Sequence, residues 1–339
     1  MAFTPRSVFQ RVALVVIGGL VLVLATATFS HANHQFHADE DIMVRIDRHE
    51  HIDLSEHEER IERQFERIAL VSSSTKSAST IFLQESFNVR DGEMLDLNLG
   101  SDDIIIETVR GTTAEVIIEG TGRDAQEVFE RREYQVFHEN GRLTVRTKPN
   151  RQRGNWQRGM RASFTTTVRI PERFDANIDV GSGDVRLERL AGDLTLDTGS
   201  GEVRIGSVSG GDIRIDTGSG DVEAERLDGS SVRIDTGSGE VTVGYLAGRS
   251  SIDTGSGDVV VSMDAGHDID VSTGSGEVDI TLPRNAGAEL AIDSRDVEID
   301  RDFSFSGRSD RSSTRGTLGN GGSRIEVSTG SGEVSLHAR

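Results

Sequence analysis

The sequence predicts an all-β protein built around a parallel β-solenoid with about 18–19 residues per coil. Three observations lead to this fold class. A turn signature, Gly-Ser-Gly followed by Asp or Glu and then Val, recurs along the second half of the chain. Apolar residues stand at fixed distances from it. The 339 residues also include 38 Gly but only 4 Pro and 5% aromatic residues, which favours tight turns and a narrow aliphatic core. The signature begins at Gly181, Gly199, Gly218, Gly237, Gly255, Gly274 and Gly330.

Columns of apolar residues define two short strands in each repeat. Four residues after the leading glycine stands a valine such as Val185, and two residues further on stands an aliphatic residue such as Leu187. Three residues before the glycine stands another, such as Ile178. The intervening residues are polar, so the period is two, which is typical of strands with one buried face. Stacking such coils about 4.8 Å apart would place equivalent apolar residues of successive coils on top of one another and form a continuous aliphatic core. We expect the turn glycines to supply the positive φ that a sharp corner requires.

The solenoid is expected to cover residues 171–339, but its last steps depart from the pattern. The gap between Gly274 and Gly330 equals about three steps. A degenerate copy of the turn at residues 292–297 fits the seventh step. The eighth step falls in a Ser-, Gly- and Arg-rich stretch, and we predict a flexible loop near residues 304–323.

The region 81–170 predicts further strands that start and cap the solenoid. Its apolar residues mostly alternate, and Asn140-Gly141 between two such runs indicates a β-hairpin turn. A single short helix is expected over residues 124–132. Without these capping strands, the open end of the solenoid would expose unpaired backbone groups to which other chains could pair.

The first 80 residues predict an export signal followed by a linker. Residues 1–32 combine a basic start, an apolar run from Val12 and small residues before a cleavage site after Ala32, as in a secretory signal peptide. The alternative is an uncleaved anchor formed by residues 12–29. Either way, the chain is expected to be periplasmic, at the cell surface or secreted. Residues 33–80 predict a charged, His-rich linker that is helical in part or disordered, and metal capture by its histidines is the less favoured interpretation.

The charge and the composition exclude several classes of protein. A formal net charge of −20 argues against nucleic acid as a partner, because binding to phosphates requires a surplus of Lys and Arg. The absence of cysteine excludes disulfides, thiolate metal sites and a thiol nucleophile.

Two rows of acidic residues flank each turn. One stands two residues before the leading glycine and the other three residues after it, where Asp and Glu alternate. Carboxylates stacked at the coil spacing repel one another, so a bound cation such as calcium is one interpretation. The favoured alternative is that the first row caps its own turn while the second is solvated, and then no cofactor is expected. The candidate calcium ligands are Asp197, Glu202, Asp216, Asp221, Asp235, Glu240, Asp253 and Asp258.

A basic segment at residues 148–161 contains the only tryptophan. An aromatic ring among arginines could bind a polyanion such as an acidic polysaccharide by charge and stacking. The simpler interpretation is an exposed loop, since the segment also contains Asn and Gly. The candidate ligand-binding residues are Arg151, Arg153, Trp156, Arg158 and Arg161.

With its Ile170-Pro171 run, its repeated Asp-Thr-Gly-Ser-Gly turn and its preceding hairpin region, the chain resembles the bacterial "putative adhesin" family, a domain of unknown function. The resemblance covers about residues 81–339. It implies a β-solenoid in an exported or membrane-associated bacterial protein, and it supplies no catalytic residues.

Function is predicted to be non-catalytic. The expected role is a surface or envelope interaction module with a polysaccharide, protein or other envelope ligand. A calcium-stabilised scaffold is one alternative. A polysaccharide-active enzyme is another, with His267, next to Asp268, as the one candidate that departs from the regular rows, although a position at the tip of a turn is the favoured interpretation of His267. Any contact with a membrane would be made through the N-terminal segment.

Overall fold

The computed structural model describes residues 13–17, 20–24, 79–148, 161–264 and 266–339. The chain divides into two compact units, Met1–Ser72 and Ser73–Arg339. In the first unit, strands β1 (Ala13–Ile17) and β2 (Leu20–Leu24) pair antiparallel. The predicted cleavage site and the His-rich linker up to residue 78 lie outside the described residues. Within the described ranges, no helix combines the length and apolar character that crossing a membrane requires.

The second unit is a long wound sheet with one short helix among its described residues. The first group of elements is β3 (Thr80–Asn88), β4 (Glu93–Leu99), β5 (Asp103–Val109), β6 (Thr113–Thr121), α1 (Ala125–Arg132), β7 (Tyr134–Glu139), β8 (Arg142–Thr147) and β9 (Ser163–Pro171). The second is β10 (Phe174–Val180), β11 (Val185–Ala191), β12 (Leu194–Thr198), β13 (Val203–Ser209), β14 (Asp212–Thr217), β15 (Val222–Thr236), β16 (Val241–Thr254), β17 (Val259–Met263), β18 (Ile269–Thr273) and β19 (Val278–Leu282). The third is β20 (Ala288–Asp293), β21 (Asp296–Ile299), β22 (Phe305–Ser309), β23 (Thr314–Leu318), β24 (Ser323–Thr329) and β25 (Glu333–Ala338).

The predicted β-solenoid is confirmed. Strands that precede the Gly-Ser-Gly turn pair parallel with their equivalents in neighbouring coils, from β10 through β12, β14 and the second part of β15 to β16 and β18. We call this set the pre-turn ladder. Strands that follow the turn form a post-turn ladder, from β11 through β13, β15, β16 and β17 to β19. Around the turns the equivalent residues of neighbouring coils are paired, because each coil repeats the same inward and outward pattern. The register shifts once between β15 and β16, after Asp228, and once between β16 and β17, after Val243.

The core contains the predicted columns and three more. Val185 is stacked against Val203 and Leu187 against Ile205, as the spacing predicts. A further inward column runs along the end of the post-turn ladder, and another along the start of the pre-turn ladder. The third consists of the threonines directly before each turn, which are buried although the sequence classes them as polar. These additional columns are Leu190, Val208, Leu227, Leu246 and Met263; Leu194, Ile213, Val232 and Ile269; and Thr198, Thr217, Thr236, Thr254, Thr273 and Thr329.

The turn glycines are needed mainly because the coils stack closely. A Cβ atom added to Gly199 would lie 2.5 Å from the carbonyl oxygen of Gly181 in the preceding coil, and Gly199 does not have a positive φ. The third residue of the same turn, Gly201, has a φ of +138° and would also place a Cβ 2.1 Å from the oxygen of Gly183. The expectation of positive φ therefore holds for the third position of this turn. At the leading position, contact between coils excludes a side chain.

The C-terminal coils do not stack in the order of the chain. Strands β24 and β25 pair with β18 and β19, so the coil of Gly330 lies directly on the coil of Gly274. The degenerate copy, β20 and β21, lies on the far side of β24 and β25. The prediction of sequential turns is thus wrong here. Each exposed coil edge offers the same backbone hydrogen bonds to any incoming strand. The strands β24 and β25 can therefore occupy the position next to β18 and β19 that the repeat spacing predicts for β20 and β21.

Two strands cross the segment for which a flexible loop was predicted. β22 and β23 form an antiparallel hairpin, and β23 also pairs antiparallel with β20. The prediction of a loop near 304–323 is wrong in this respect. Its Ser and Gly residues suggested a loop, but the β20 edge provides pairing partners that composition does not reveal.

The N-terminal cap, residues 79–171, contributes one coil that stacks directly on the repeats. β4 and β5 pair parallel with β10 and β11 and continue both ladders. The pre-turn ladder then ends with β8 and β7, and the post-turn ladder with β9, β6 and β3. The predicted hairpin is present, with positive φ at both Asn140 and Gly141. The predicted short helix is present as α1.

Candidate functional site

The acidic row that follows each turn joins consecutive coils. Asp184 Oδ1 accepts the backbone N–H of Glu202 at 2.9 Å, and Asp221 Oδ1 accepts that of Glu240 at the same distance. Asp258 does the same for Glu277 at 2.8 Å. The glutamates of the row make no such bond to the next coil. The alternation of Asp and Glu therefore marks every second coil as an acceptor.

Three aspartates of the acidic row that precedes the turns pair with arginines on the outer face of the pre-turn ladder. Arg214 contacts Asp216 at 2.8 Å, and Arg233 contacts Asp235 at 2.8 Å and Asp253 at 3.4 Å. The expected assignment is therefore reversed, since it is the second row, and not the first, that hydrogen-bonds to backbone.

The eight candidate calcium ligands are divided between these two arrangements. Asp197, Asp216, Asp235 and Asp253 belong to the row on the pre-turn ladder, and Glu202, Asp221, Glu240 and Asp258 to the row after the turn. Among the residues that the structure describes, no three carboxylate or imidazole groups gather into a cluster that could hold a metal ion.

A second ladder of aspartates, which the sequence analysis missed, lies at the opposite end of the pre-turn strands. Asp175 Oδ1 accepts the N–H of Asp193, and Asp193 Oδ1 accepts that of Asp212, each at 2.9 Å. The aspartates recur at the coil spacing, which is the signal that could have revealed them. Asp268, a candidate catalytic residue, has the same role, because its Oδ1 accepts the N–H of Arg324 at 2.9 Å. Its neighbour His267 is partly exposed.

Of the candidate polyanion-binding residues, Arg151, Arg153, Trp156 and Arg158 lie outside the described residues. Arg161 is exposed, and its backbone is held by Asp124: its N–H donates to Asp124 Oδ2 at 2.8 Å, and its carbonyl accepts the Asp124 N–H at 3.4 Å. The hydrogen bond from the Arg161 backbone is the main reason that the pKa of the Asp124 carboxyl lies below its usual value.

The cap contains a buried ion pair that has no counterpart in the repeats. Asp102 stands where the repeats have the third residue of the turn, and its side chain is fully buried. Arg132 at the end of α1 forms an ion pair with it, Tyr134 donates to it at 2.7 Å, and Thr166 donates at 3.0 Å. Burial, followed by the negative charge of Asp102, raises the pKa of the Tyr134 hydroxyl well above its usual value. This network ties helix α1 and β9 to the first coil.

A groove of about 570 Å³ lies on the outer face of the pre-turn ladder, where β4, β8 and β7 run side by side. We call it the cap groove. Its floor has one cross-strand row in which Asn98, Arg146 and Gln135 are neighbours. A second row places Asp96 beside Thr144. The lining residues are Asp96, Asn98, Gln135, Thr144, Arg146, Thr147 and Lys148.

The sequence analysis missed the cap groove because its residues come from three separate strands. One signal was present: the row before the turn is Asp in Asp179 and in the next four coils, whereas the first coil has Asn98. An exception within a repeat marks a place where the side chain has a different task.

Several solved structures match this chain over most of its length. A "putative adhesin" from Bacteroides fragilis is 11% identical, with 77% of this chain and 98% of that chain covered and a TM-score of 0.39. A "putative adhesin" from Parabacteroides distasonis is 14% identical over 77% and 98% of the two chains, with a TM-score of 0.35. A "putative lipid binding protein" from the same species is 10% identical over 77% and 97%, with a TM-score of 0.31.

The search of curated proteins found no match. A family model described as Toastrack DUF4097 matches residues 92–337, which include most of the cap and all of the repeats. The family is a domain of unknown function, in agreement with the resemblance that the repeated turn indicated. By this match, the chain belongs to the Toastrack DUF4097 family.

Proposed function

We propose that this protein is an exported, non-catalytic interaction module of the bacterial cell envelope. The repeats act as a rigid scaffold, and the N-terminal cap carries the ligand-binding site. The observation that carries this proposal is the uneven distribution of hydrogen-bonding capacity. On the outer face of the repeats, arginines such as Arg214 and Arg233 pair with carboxylates of the same face, whereas the terminal nitrogens of Arg146 in the cap groove bind no other described residue.

The scaffold role rests on the coil-to-coil bonds of the repeats. Aspartates such as Asp184 bind the backbone of the next coil, and Arg214 and Arg233 neutralise carboxylates of their own face. A carboxylate that accepts a backbone N–H between coils already serves the fold. These rows therefore support a structural role, although they imitate the paired acids of a polysaccharide hydrolase.

The binding role rests on the groups that line the cap groove. The hydroxyls of Thr144 and Thr147 and the amide nitrogen of Gln135 donate to no other described residue, and Thr144 is only 6% exposed. A concave surface with a few convergent polar groups is the usual form of a ligand site. The signal sequence predicted over residues 1–32 supports export to the periplasm, the cell surface or the medium.

Site-directed labelling tests where the ligand binds. The chain contains no cysteine, so one introduced cysteine can be modified selectively with a maleimide polymer. Asn98→Cys places the label in the cap groove. Thr195→Cys places it at an exposed position on the same outer face, two strands away on β12. We expect the protein to co-sediment with an insoluble envelope fraction, and we expect the label to abolish this only in the Asn98→Cys variant. Equal loss in both variants would contradict a ligand site in the cap.

Export and catalysis are tested separately. Fractionation of cells that express the full chain, or a chain without residues 1–32, should show the full chain outside the cytoplasm and the shortened chain inside it. Incubation with acidic and neutral polysaccharides should release no reducing ends. Turnover that is lost on changing His267 or Asp268 would replace the proposal with a polysaccharide-active enzyme.

A further inference from the structure

We propose that the cap groove binds a carboxylate-bearing polysaccharide, and that Arg146 recognises its carboxylate group. This inference rests on the proposed function and identifies the ligand of that site. Its central observation is an arginine whose orientation is fixed by neighbours but whose terminal nitrogens are unused.

Arg146 is held in place by two contacts on β7. Its Nε donates to Gln135 Oε1 at 3.0 Å, and its guanidinium carbon lies 5.5 Å from the centre of the Phe137 ring. Its two Nη atoms donate to no other described residue, and the side chain is exposed. A guanidinium with a fixed plane and free terminal nitrogens matches a carboxylate, which it can bind through two parallel hydrogen bonds.

The charged side chains beside Arg146 form ion pairs with one another, so the positive charge of Arg146 is not neutralised. Arg142 contacts Asp96 at 3.0 Å, and Lys148 contacts Glu133 at 2.5 Å. No carboxylate among the described residues forms an ion pair with Arg146. The groove thus offers one positive charge on a protein whose net charge is −20. The acidic repeats discourage anions from binding elsewhere on the same face, which directs an anionic ligand to the cap.

The groups around Arg146 suit the hydroxyls of a sugar. The Thr144 hydroxyl, the Thr147 hydroxyl and the Gln135 Nε2 group have no partner among the described residues. Hydroxyl and amide groups both donate and accept, and so do the hydroxyls of a glycan. Thr144 lines the groove although it is only 6% exposed, so its hydroxyl is available to a ligand that enters there.

Asn98 separates Arg146 from the acidic row. It is the cross-strand neighbour of Arg146, and its Nδ2 donates to Asp179 Oδ2 at 2.7 Å. An aspartate at this position, as in the following coils, would place a carboxylate beside the guanidinium and a like charge beside Asp179. The exception in the repeat therefore keeps Arg146 available for a carboxylate from outside the protein.

Isothermal calorimetry of the full chain with oligogalacturonate tests this inference. We expect binding to oligogalacturonate and none to neutral dextran. Arg146→Ala should weaken binding about 10- to 100-fold, as expected for the loss of a charge-assisted bidentate pair. Asn98→Asp should have a similar effect, because the new carboxylate competes for Arg146. Arg146→Lys should recover only part of the affinity, because an ammonium group cannot form the same pair.

Arg214→Ala is the matched control, since it removes an arginine from the same outer face but from within the repeats. It should leave the affinity unchanged. The inference is overturned if Arg146→Ala binds as tightly as the unchanged chain or if Arg214→Ala loses as much affinity as Arg146→Ala. It is also overturned if dextran sulfate binds as tightly as oligogalacturonate and Arg146→Lys leaves the affinity for both polymers unchanged. If the protein binds the envelope fraction but not oligogalacturonate, this inference fails while the proposed function stands. If it binds neither, the proposed function fails as well.

Discussion

Asp184 accepts the backbone N–H of Glu202 at 2.9 Å, so that a side chain in one coil holds the main chain of the next. The two residues occupy the same position of the repeat and differ by one methylene group. The shorter carboxylate serves as the acceptor between coils, and the longer one extends to Arg204 at the surface. The alternation of Asp and Glu thus reflects which coils provide a side-chain acceptor for the backbone of the next coil.

Removing one acceptor of this ladder should destabilise the solenoid, whereas removing the adjacent glutamate should not. We expect Asp221→Ala to lower the free energy of unfolding by about 1 kcal/mol, because the N–H of Glu240 loses its partner. Glu240→Ala is the matched control and should stay within about 0.5 kcal/mol of the unchanged chain. Urea denaturation measures both. Equal effects would show that the aspartates are merely solvated charges.

A methyl group at a stacked glycine should cost far more than one at the end of the stack. In Gly199→Ala the new Cβ would lie 2.5 Å from the carbonyl oxygen of Gly181, so the coils must separate. We expect a loss of about 2 kcal/mol or more. In Gly100→Ala the new Cβ meets nothing within 4 Å, and Gly100 has no positive φ, so stability should hardly change. Thermal unfolding of the two variants is the measurement, and a similar melting temperature for both would contradict the stacking argument.

The ion pair of the cap should be essential for its stability. Asp102→Asn keeps the shape of a fully buried side chain but leaves the charge of Arg132 without its partner. We expect a loss of about 3 kcal/mol, in the range found for broken buried pairs. Asp103→Asn is the control: Asp103 is exposed, and an asparagine can still accept the N–H of Asp184. It should change the free energy of unfolding by less than about 0.5 kcal/mol.

One carboxylate on the pre-turn ladder should destabilise the protein at neutral pH. Burial raises the pKa of Asp270, and the negative charges of Glu326 and Asp253 add to the increase. The folded state therefore holds this proton more tightly than the unfolded state. The resulting stability is fully present below the unfolded pKa of about 3.9 and is lost as the pH rises through the folded pKa.

Asp270→Asn should accordingly raise the melting temperature at pH 7 and leave it almost unchanged near pH 3. Since Asp270 is exposed, screening by solvent limits the gain to about 0.5 kcal/mol. Glu223→Gln is the control, because the Glu223 carboxylate lies 3.5 Å from Arg204 Nε and its loss should bring no gain. A gain of the same size at both pH values would contradict the assignment to charge repulsion.

The sequence predicted the repeats well because their signals are local. Val185, Leu187 and Ile178 alternate with polar residues at fixed distances from a glycine turn, and this pattern determines which side chains point inward. It also predicted the hairpin at Asn140-Gly141. The inward threonines were missed because a hydroxyl beside a turn counts as polar in any periodicity, although Thr198 is only 1% exposed.

The groove was less accessible to sequence reasoning. Asn98 was visible as an exception in a column of aspartates, but nothing in the spacing indicated that Arg146 and Gln135 would be its neighbours. These residues come from β4, β8 and β7, and they meet only because β8 pairs parallel with β4 and antiparallel with β7. That juxtaposition depends on pairing between distant segments.

The sequence by itself determined the coil: its length, three of its inward columns, its turn and the acidic rows. Only the tertiary structure decided the order of the coils at the C-terminus, the hairpin of β22 and β23, and the residues that meet in the cap groove. The physical reason is that a strand edge offers the same backbone hydrogen bonds to any incoming strand. Local periodicity therefore defines which residues face inward, while packing and pairing over long distances along the chain select which strand lies next to which.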